Sequence, residues 1–399
     1  MIGSIMNSIG LTDLVFPLTT REFLSTTYGH DFKHFTGESA RFHPLFDWDN
    51  LNVLLETQPF DSTKVRLARH GHSINPTDYT EEIRRKHNVP YRQIVPDCFL
   101  REIRCGATLT LDHAEKAHPP LRHLARRLES ELQANVSAHI FASWKPVPGF
   151  DLHWDEQDAI VVQIDGRKKW QVFAPTTPWP SRLAIAENLS PEADPIAEIE
   201  LTAGDVLYMP HGWWHAVSAT DGPSLHITFG VTPDNGIDLM TWLVGRLRDN
   251  ELFRRRIPRL AGDTNQAGYL QSIRQALHGL LESDKLLDEF FLYSDGTSRC
   301  RPTFTLPDTL EHCSAPDLSK RVVLLAPRAT ISPLDEDFTL TALGRSWKFP
   351  ARAKPIIDLV LLPAGALVGD VLAAVPDLPH EHVAEVLFML QRAGVIALT

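Results

Sequence analysis

Cysteine is scarce in this sequence: there are four among 399 residues, and no two of them form a CxxC pair. This spacing disfavours a zinc ribbon, and the low number favours reduced thiols, as in a cytoplasmic protein. Apolar runs of about 18 residues are also lacking, which predicts no membrane span. The first sixteen residues lack the basic start and long apolar centre of a signal peptide. We therefore expect a cytoplasmic protein without a membrane partner.

Basic charge is in the minority, with 39 Lys and Arg against 50 Asp and Glu and a formal net charge of −11. Proteins that bind nucleic acids usually present a basic field, because neutralising phosphates dominates their affinity. The composition therefore disfavours a nucleic-acid partner. Hydrophobic residues make up 43% of the chain, which is enough for packed cores, and the length suits two or three domains.

The first part of the chain, residues 1–235, has the sequence pattern of a strand-rich domain. Short apolar segments alternate with turns, which is typical of a sandwich or barrel. Asp165-Gly166 is a turn signal that predicts a hairpin between its flanking strands. Leucines at spacings of three and four predict one helix over residues 121–132. The predicted strands are 136–144, 159–166, 168–175, 204–210 and 224–231.

Two further regions follow. Residues 236–299 carry apolar side chains at helical spacing, and we expect a helical dimerisation region there. Residues 294–304 have the composition of a linker. Residues 300–399 end in a helix, turn, helix and strand pattern that resembles a winged helix, with Gly394 at a helix C-cap. The longest helix there has one Arg and no Lys, so we expect this domain to serve protein contacts.

A histidine and an aspartate stand two residues apart in the segment DLHWDEQDAI, residues 151–160. In a strand, side chains two apart point to the same face, so His153 and Asp155 would offer an imidazole nitrogen and a carboxylate oxygen together. His215, in GDVLYMPHGWWHAVSA, could supply a third ligand. Such pairs also arise by chance as surface hydrogen-bonded pairs, so spacing alone leaves both interpretations open. We interpret His211 as a turn residue.

Over most of its length the chain resembles a known family. HxD is followed by QxxGxKxW, then by GDxxYxP and a further His. This combination resembles the JmjC-type, cupin-fold oxygenases that use 2-oxoglutarate, and within them the ribosomal oxygenases. The resemblance implies a double-stranded β-helix (jelly-roll) catalytic domain in a protein of mixed β and α content. It also implies that His153, Asp155 and His215 bind Fe(II), with 2-oxoglutarate as cosubstrate and O2 as oxidant.

The resemblance also implies a cosubstrate site. In the family, a basic residue fifteen positions after the first ligand pairs with the far carboxylate of 2-oxoglutarate, and here that residue is Lys168 rather than Lys169. The family's Asn and Tyr on an earlier strand are replaced by His139 and Phe141. We expect Lys168, Thr228 and His139 to bind the cosubstrate, and His226 is a further polar candidate. A family Ser is replaced by Gly230.

By this resemblance, the expected activity is a dioxygenase that hydroxylates a side chain of a protein or peptide, such as a ribosomal protein or a biosynthetic precursor peptide. We expect a homodimer. Three alternatives stay open: a JmjC demethylase, a metal-binding cupin that binds a peptide or regulator without oxidation, and a zinc-type cupin hydrolase or isomerase.

Overall fold

The computed structural model describes residues 9–57, 64–84, 89–181, 183, 189–220, 222–298, 317–362 and 365–399. The chain divides into two compact units, Met1–Thr232 and Pro233–Thr399. This boundary lies close to the predicted one between residues 235 and 236. The second predicted boundary, at residues 299 and 300, lies outside the described residues, so the division into three domains stays a prediction. No described helix is long and apolar enough to cross a membrane.

The first unit is built on strands with helices around them. Its helices are α1 (Leu11–Leu14), α2 (Thr20–Thr26), α3 (Trp48–Thr57), α4 (Pro96–Arg104) and α5 (Pro119–Leu132). Its strands are β1 (Lys33–Phe35), β2 (Val65–Arg69), β3 (His72–Ser73), β4 (Thr80–Ile83), β5 (Tyr91–Ile94), β6 (Thr108–Leu111), β7 (Asn135–Ser143), β8 (Asp158–Asp165), β9 (Arg167–Phe173), β10 (Ala197–Thr202), β11 (Val206–Met209), β12 (Trp214–Ala219) and β13 (Ser224–Thr232).

Two antiparallel sheets form the body of this unit. The larger has the order β1-β11-β8-β13-β7-β6-β2-β3, and the smaller has the order β10-β9-β12. Buried side chains from both sheets pack into one cluster, which includes Val161 on β8, Trp170 on β9 and Leu207 on β11. The sheets therefore face each other, as expected for a double-stranded β-helix. The five predicted strands are confirmed.

Strand β7 shows how the larger sheet separates two environments. Val136, Ala138, Ile140 and Ala142 belong to the main hydrophobic core, which they share with the leucines of α5. Because side chains alternate along a strand, the residues between them face the space between the sheets. The predicted helix over 121–132 is confirmed, and its apolar face covers the outside of the sheet.

The hairpin predicted at Asp165-Gly166 is wrong. Strand β8 pairs with β11 and β13, whereas β9 pairs with β10 and β12, so the chain crosses from one sheet to the other at this turn. Gly166 has φ +66, and a Cβ there would collide with the carbonyl of Pro223. The residue pair does make a tight turn, but local sequence does not specify which strands pair afterwards.

The second unit combines helices with small sheets. Its helices are α6 (Gly236–Leu247), α7 (Glu251–Arg254), α8 (Asp263–Leu281), α9 (Leu286–Thr297), α10 (Lys354–Val360), α11 (Val368–Ala373) and α12 (His380–Arg392). Its strands are β14 (Arg321–Leu324), β15 (Thr330–Leu334), β16 (Asp337–Ala342), β17 (Arg345–Phe349), β18 (Ala366–Leu367) and β19 (Ile396–Leu398). They form two three-stranded sheets, β18-β14-β19 and β15-β16-β17.

The helices predicted in this unit are confirmed, and so is the final helix, turn, helix and strand. Gly394 adopts φ +78 directly after α12, as a C-terminal glycine should. The linker predicted over residues 294–304 is wrong at its start, because residues 294–297 belong to α9. Residues 299–304 lie outside the described residues. The strands β14 to β17 were not predicted from the sequence.

Candidate metal centre

His153 and His215 face each other across an isolated antiparallel bridge. The N–H of His153 donates to the carbonyl of His215 at 3.1 Å, and the N–H of His215 donates to the carbonyl of His153 at 2.8 Å. This pair of bonds holds the ring centroids 4.3 Å apart. The strand expected through residues 151–160 is wrong in its first half, since β8 begins only at Asp158. The bridge, rather than a regular strand, positions His153.

Both imidazoles are oriented through their Nδ1 atoms. His153 Nδ1 lies 2.7 Å from the carbonyl oxygen of Asp151, and His215 Nδ1 lies 3.1 Å from that of Trp213. Because a carbonyl oxygen only accepts, each Nδ1 carries the proton and each Nε2 keeps its lone pair. Both rings are therefore in the tautomer that a metal ion requires for binding through Nε2.

Asp155 completes a group of three candidate ligands. Its Oδ2 lies 3.7 Å from His215 Nε2, and one ligand atom from each of the three residues lies within 4.8 Å of the others. Burial, and next the neighbouring His153, lower the pKa of His215 to about 4, which keeps this imidazole neutral near pH 7. Two imidazoles and one carboxylate fit Fe(II) and leave positions for further ligands. The structure thus brings the predicted ligands together, and metal binding by them stays a prediction.

The three side chains line one pocket of about 580 Å³, counted with its open mouth. The pocket lies between the two sheets of the first unit. Lys168 contributes to the wall from the smaller sheet, and Thr228 contributes from the larger one. The other lining residues are Thr108, Phe141, Gly149, Phe150, Ala159, Trp170, Val217 and His226.

Lys168 is a buried cation in this wall, with only 3% of its surface exposed. Its Nζ donates to Ser143 Oγ at 3.0 Å, and that hydroxyl lies 3.0 Å from Thr108 Oγ1. No carboxylate of the described residues forms an ion pair with it. Burial lowers the pKa of Lys168 to about 7. A buried ammonium without a counter-ion is costly, so this position favours an anionic ligand.

Lys169 is in the opposite environment. Its side chain is 41% exposed, and its Nζ lies 2.9 Å from Glu198 Oε2 on the neighbouring strand β10. The alternation of side chains along β9 therefore turns Lys168 inward and Lys169 outward. The choice of Lys168 as the inward lysine is confirmed, and its role in binding a cosubstrate stays a prediction.

His139 does not line the pocket. Its Nδ1 lies 2.8 Å from Asp112 Oδ1, and its Nε2 lies 2.9 Å from Ser137 Oγ. Both ring nitrogens therefore have partners within the protein, which leaves His139 no donor or acceptor for a cosubstrate in this arrangement. Thr228, opposite His139 in the sheet register, does line the pocket. The structure thus brings Lys168 and Thr228 to the candidate metal centre, and it does not bring His139 there.

Sequence reasoning did not identify Ser143 and Thr108 as part of this site. Ser143 follows Phe141 by two residues on β7, so strand alternation could have placed it on the same face. Thr108 lies on β6, and its approach to Ser143 depends on how the two strands pair, for which the sequence carries no local signal. His211 lies in a turn, as expected, and its Nε2 lies 2.6 Å from the carbonyl of Pro180.

Comparisons with known proteins find relatives of this chain. Residues 112–239 match the JmjC domain family. The bifunctional lysine-specific demethylase and histidyl-hydroxylase NO66 of Drosophila pseudoobscura pseudoobscura is 28% identical over 220 residues, 55% of this chain and 22% of that protein. NO66 of Dictyostelium discoideum is 26% identical over 298 residues, 70% of this chain and 52% of that protein. The chain thus spans about half or less of the length of these relatives.

Solved structures show a similar fold. YcfD, a ribosomal oxygenase from Escherichia coli, superposes with a TM-score of 0.59 at 16% sequence identity and covers 96% of this chain and 98% of that one. The structure of YcfD in complex with cobalt and 2-oxoglutarate gives a TM-score of 0.57, also at 16% identity, over 96% and 98% of the two chains. At this identity the likeness concerns the fold alone.

Proposed function

Because this chain is a JmjC-domain protein with the cupin-like fold of the ribosomal oxygenases, we propose that it is a dioxygenase dependent on Fe(II) and 2-oxoglutarate. Its product would be a hydroxylated side chain of a protein or peptide. The observation that carries this proposal is the pocket itself. One part of its wall offers two imidazoles and a carboxylate, and another offers a buried lysine that has no counter-ion among the described residues. A non-haem Fe(II) and a dicarboxylate require those two features together.

The residues have separate tasks in this proposal. His153, Asp155 and His215 would hold Fe(II) on one side and leave its remaining positions to 2-oxoglutarate and O2. When bound, Fe(II), 2-oxoglutarate and O2 would supply the oxidising chemistry: 2-oxoglutarate would lose CO2 and take one oxygen atom of O2 to become succinate, and the other oxygen atom would enter the substrate as a hydroxyl group. Lys168 would bind the far carboxylate and so fix the orientation of the 2-oxo acid. The aromatic wall that includes Trp170 and Phe141 would keep water out of this part of the pocket.

A protein or peptide substrate is supported by the relatives. NO66 is described as a histidyl-hydroxylase and lysine-specific demethylase, and ribosomal oxygenase 1 of Gallus gallus is 28% identical over 199 residues, 48% of this chain and 31% of that protein. For this chain, we propose a polypeptide with a neutral or basic segment, because the protein's net charge is −11.

The proposal is tested by incubating the purified protein with Fe(II), 2-oxoglutarate, O2 and candidate ribosomal proteins or peptides. We expect succinate to form in step with a mass increase of one oxygen atom on the substrate. Formaldehyde release with loss of a methyl group would instead indicate demethylation. Tight metal and peptide binding without any succinate would contradict the oxygenase and favour a non-oxidative cupin.

The affinity for 2-oxoglutarate should depend on pH through Lys168. With its pKa lowered to about 7, this ammonium is mostly charged below pH 7 and mostly neutral above it. A bound carboxylate favours the charged form, so above pH 7 binding must be accompanied by uptake of a proton. We expect the affinity to fall by up to about tenfold per pH unit above pH 7. Calorimetry on Co(II)-loaded protein, in two buffers with different ionisation enthalpies, measures both the affinity for 2-oxoglutarate and the number of protons taken up on binding. An affinity that is constant from pH 6 to 9 would contradict this role of Lys168.

We further propose that residues 236–299 form a dimer interface. On α6, Ile237, Met240 and Val244 lie at spacings of three and four, and they are 74%, 43% and 58% exposed. Helix α8 buries none of its residues in the single chain. Helices of such apolar content usually pack against a partner, and a second copy of the chain fits the self-complementary face of a two-fold dimer.

Light scattering during size-exclusion chromatography tests the dimer on the full chain. We expect a dimer for the natural sequence and a monomer for the double variant Met240→Lys and Val244→Lys. Asp249→Lys, at an exposed position in the turn that follows α6, is the control and should remain dimeric. A monomeric natural protein would contradict the interface.

For residues 300–399 we propose a winged-helix-like domain that serves protein contacts. Helix α12 carries Glu381 and Glu385, and its Arg392 lies over the ring of Phe388. Phosphate backbones would be repelled by this surface more than held. Binding of duplex DNA by the full chain that is submicromolar and sensitive to salt would overturn this proposal. A cytoplasmic location stays a prediction, which is consistent with the free thiols of Cys98 and Cys105.

A further inference from the structure

His226 is a buried polar side chain without an explained role. It is 3% exposed and lies in the pocket wall on β13. Its Nδ1 is buried and has no hydrogen-bond partner among the described residues. An unpaired buried nitrogen costs free energy, so a histidine that only filled space would be expected to have a partner. This position therefore points to a ligand that is absent from the protein alone.

Aromatic rings and a buried ammonium surround His226 on the pocket side, while its cross-strand neighbour Gln163 on β8 has a buried Oε1 without a partner among the described residues. The ring of His226 stacks on Phe141 of β7, with the centroids 4.9 Å apart and the planes at 11°. Trp170 of β9 approaches edge-on, with a centroid distance of 5.9 Å, and its buried Nε1 likewise has no partner in the part of the chain that the structure describes. Burial, and next the charge of Lys168, keep the pKa of His226 well below its usual range. The ring is therefore neutral and carries one N–H donor.

The sheet register places His226 beside the lysine rather than beside the candidate metal ligands. On the larger sheet, Ser224 of β13 pairs with Ser143 of β7, and Ser143 accepts the hydrogen bond from Lys168. His226 is the next residue after Ser224 on the same face of β13. On the smaller sheet, Lys168 pairs with Ala219, whereas His215 pairs with Val172, four residues further along β9. Lys168 and His226 thus form a part of the wall that offers hydrogen-bond donors, and Trp170 lies between this part and the candidate metal centre, 5.5 Å from the ring of His215 and 5.9 Å from that of His226. Among the described lining residues the only carboxylate is Asp155, which belongs to the candidate metal centre.

We propose that His226 donates its ring N–H to the far carboxylate of the 2-oxo acid, beside Lys168, and so selects a dicarboxylate over a monocarboxylate. This inference rests on the proposed function, because it assigns a residue to the same cosubstrate site. A carboxylate accepts several hydrogen bonds, and one ammonium leaves lone pairs that need further donors. Phe141 brings a flat apolar face to His226, which restricts the orientation of the imidazole.

The inference is tested by calorimetric binding to Co(II)-loaded protein without O2. The ligands are 2-oxoglutarate and 2-oxobutyrate, which lacks the second carboxylate. His226→Phe keeps an aromatic ring against Phe141 and removes both nitrogens. We expect it to weaken 2-oxoglutarate binding by about 10-fold to 100-fold, the usual effect of losing one hydrogen bond to a charged group. Binding of 2-oxobutyrate and of Co(II) should change little.

Two further variants make the result specific. His226→Gln keeps an N–H donor and should recover part of the affinity for 2-oxoglutarate. His118→Phe is the control, because His118 also has a buried Nδ1 with no partner among the residues that the structure describes, but it packs against Phe46 outside the pocket. It should bind both ligands as the natural protein does. Melting temperatures confirm that each variant is folded.

The outcomes separate the two proposals. If the natural protein binds Co(II) and 2-oxoglutarate, and His226→Phe binds both acids unchanged, the role of His226 is overturned while the proposed function stands. An equal loss for 2-oxoglutarate and 2-oxobutyrate also overturns it, since the contact would not concern the second carboxylate. If the natural protein binds Co(II) but not 2-oxoglutarate, the proposed function fails, and the inference fails with it.

Discussion

His153→Ala and Asp155→Ala should each abolish turnover and weaken Fe(II) binding by more than about 100-fold. Even partners that only orient a metal ligand contribute on the order of 10-fold to 100-fold to metal affinity, so the loss of a ligand itself should have a larger effect. The fold should survive both changes. The bridge between His153 and His215 is made by backbone atoms, and the side chain of Asp155 is 46% exposed.

Calorimetry with Co(II), together with the melting temperature and succinate formation, checks this prediction. Asp155→Asn is the more specific test, because it removes the charge of the carboxylate and keeps the shape of the side chain. His278→Ala is the control, since His278 is a surface histidine that pairs with Glu282 on α8, far from the pocket in sequence and in another unit. Full succinate formation by either site variant would show that the three residues do not hold the metal.

Lys168→Met should raise the 2-oxoglutarate concentration needed for half-maximal turnover on the order of a hundredfold or more, with little effect on metal affinity. Removing one partner of a buried charge pair costs about 3–5 kcal/mol, which corresponds to that loss of binding. The same variant should not lower the melting temperature of the protein without ligand. Burying an ammonium without a counter-ion destabilises that state, and methionine fills a similar volume without the charge.

Lys169→Met is the matched control for this prediction. The two lysines are adjacent, but Lys169 is exposed and paired with Glu198 at the surface, where such pairs contribute little. Its variant should bind 2-oxoglutarate as the natural protein does. Equal effects at both positions would show that Lys168 does not contact the cosubstrate. A lowered melting temperature for Lys168→Met would contradict the expected cost of burying this ammonium in the protein without ligand.

The sequence by itself determined the local elements and the identity of the candidate ligands. Apolar periodicity predicted five of the strands of the first unit and the helix α5, because burial on one face requires a period of two in strands and 3.6 in helices. Alternation required that only one of Lys168 and Lys169 point inward, and the family's spacing from His153 favoured Lys168. The spacing of His153 and Asp155 suggested a common face, and the combined motif with His215 pointed to iron.

Only the tertiary structure decided how these elements meet. After Asp165 the chain passes from one sheet to the other, and this depends on pairing with strands that are distant in the sequence. A short window of sequence does not specify those hydrogen bonds. His139 and His226 both lie on strands of the larger sheet, yet their partners differ: the distant Asp112 and the nearby Ser137 engage the first, whereas the second meets aromatic rings and a buried ammonium. Long-range pairing, which local sequence does not specify, therefore left His226 available to a ligand and His139 engaged within the protein.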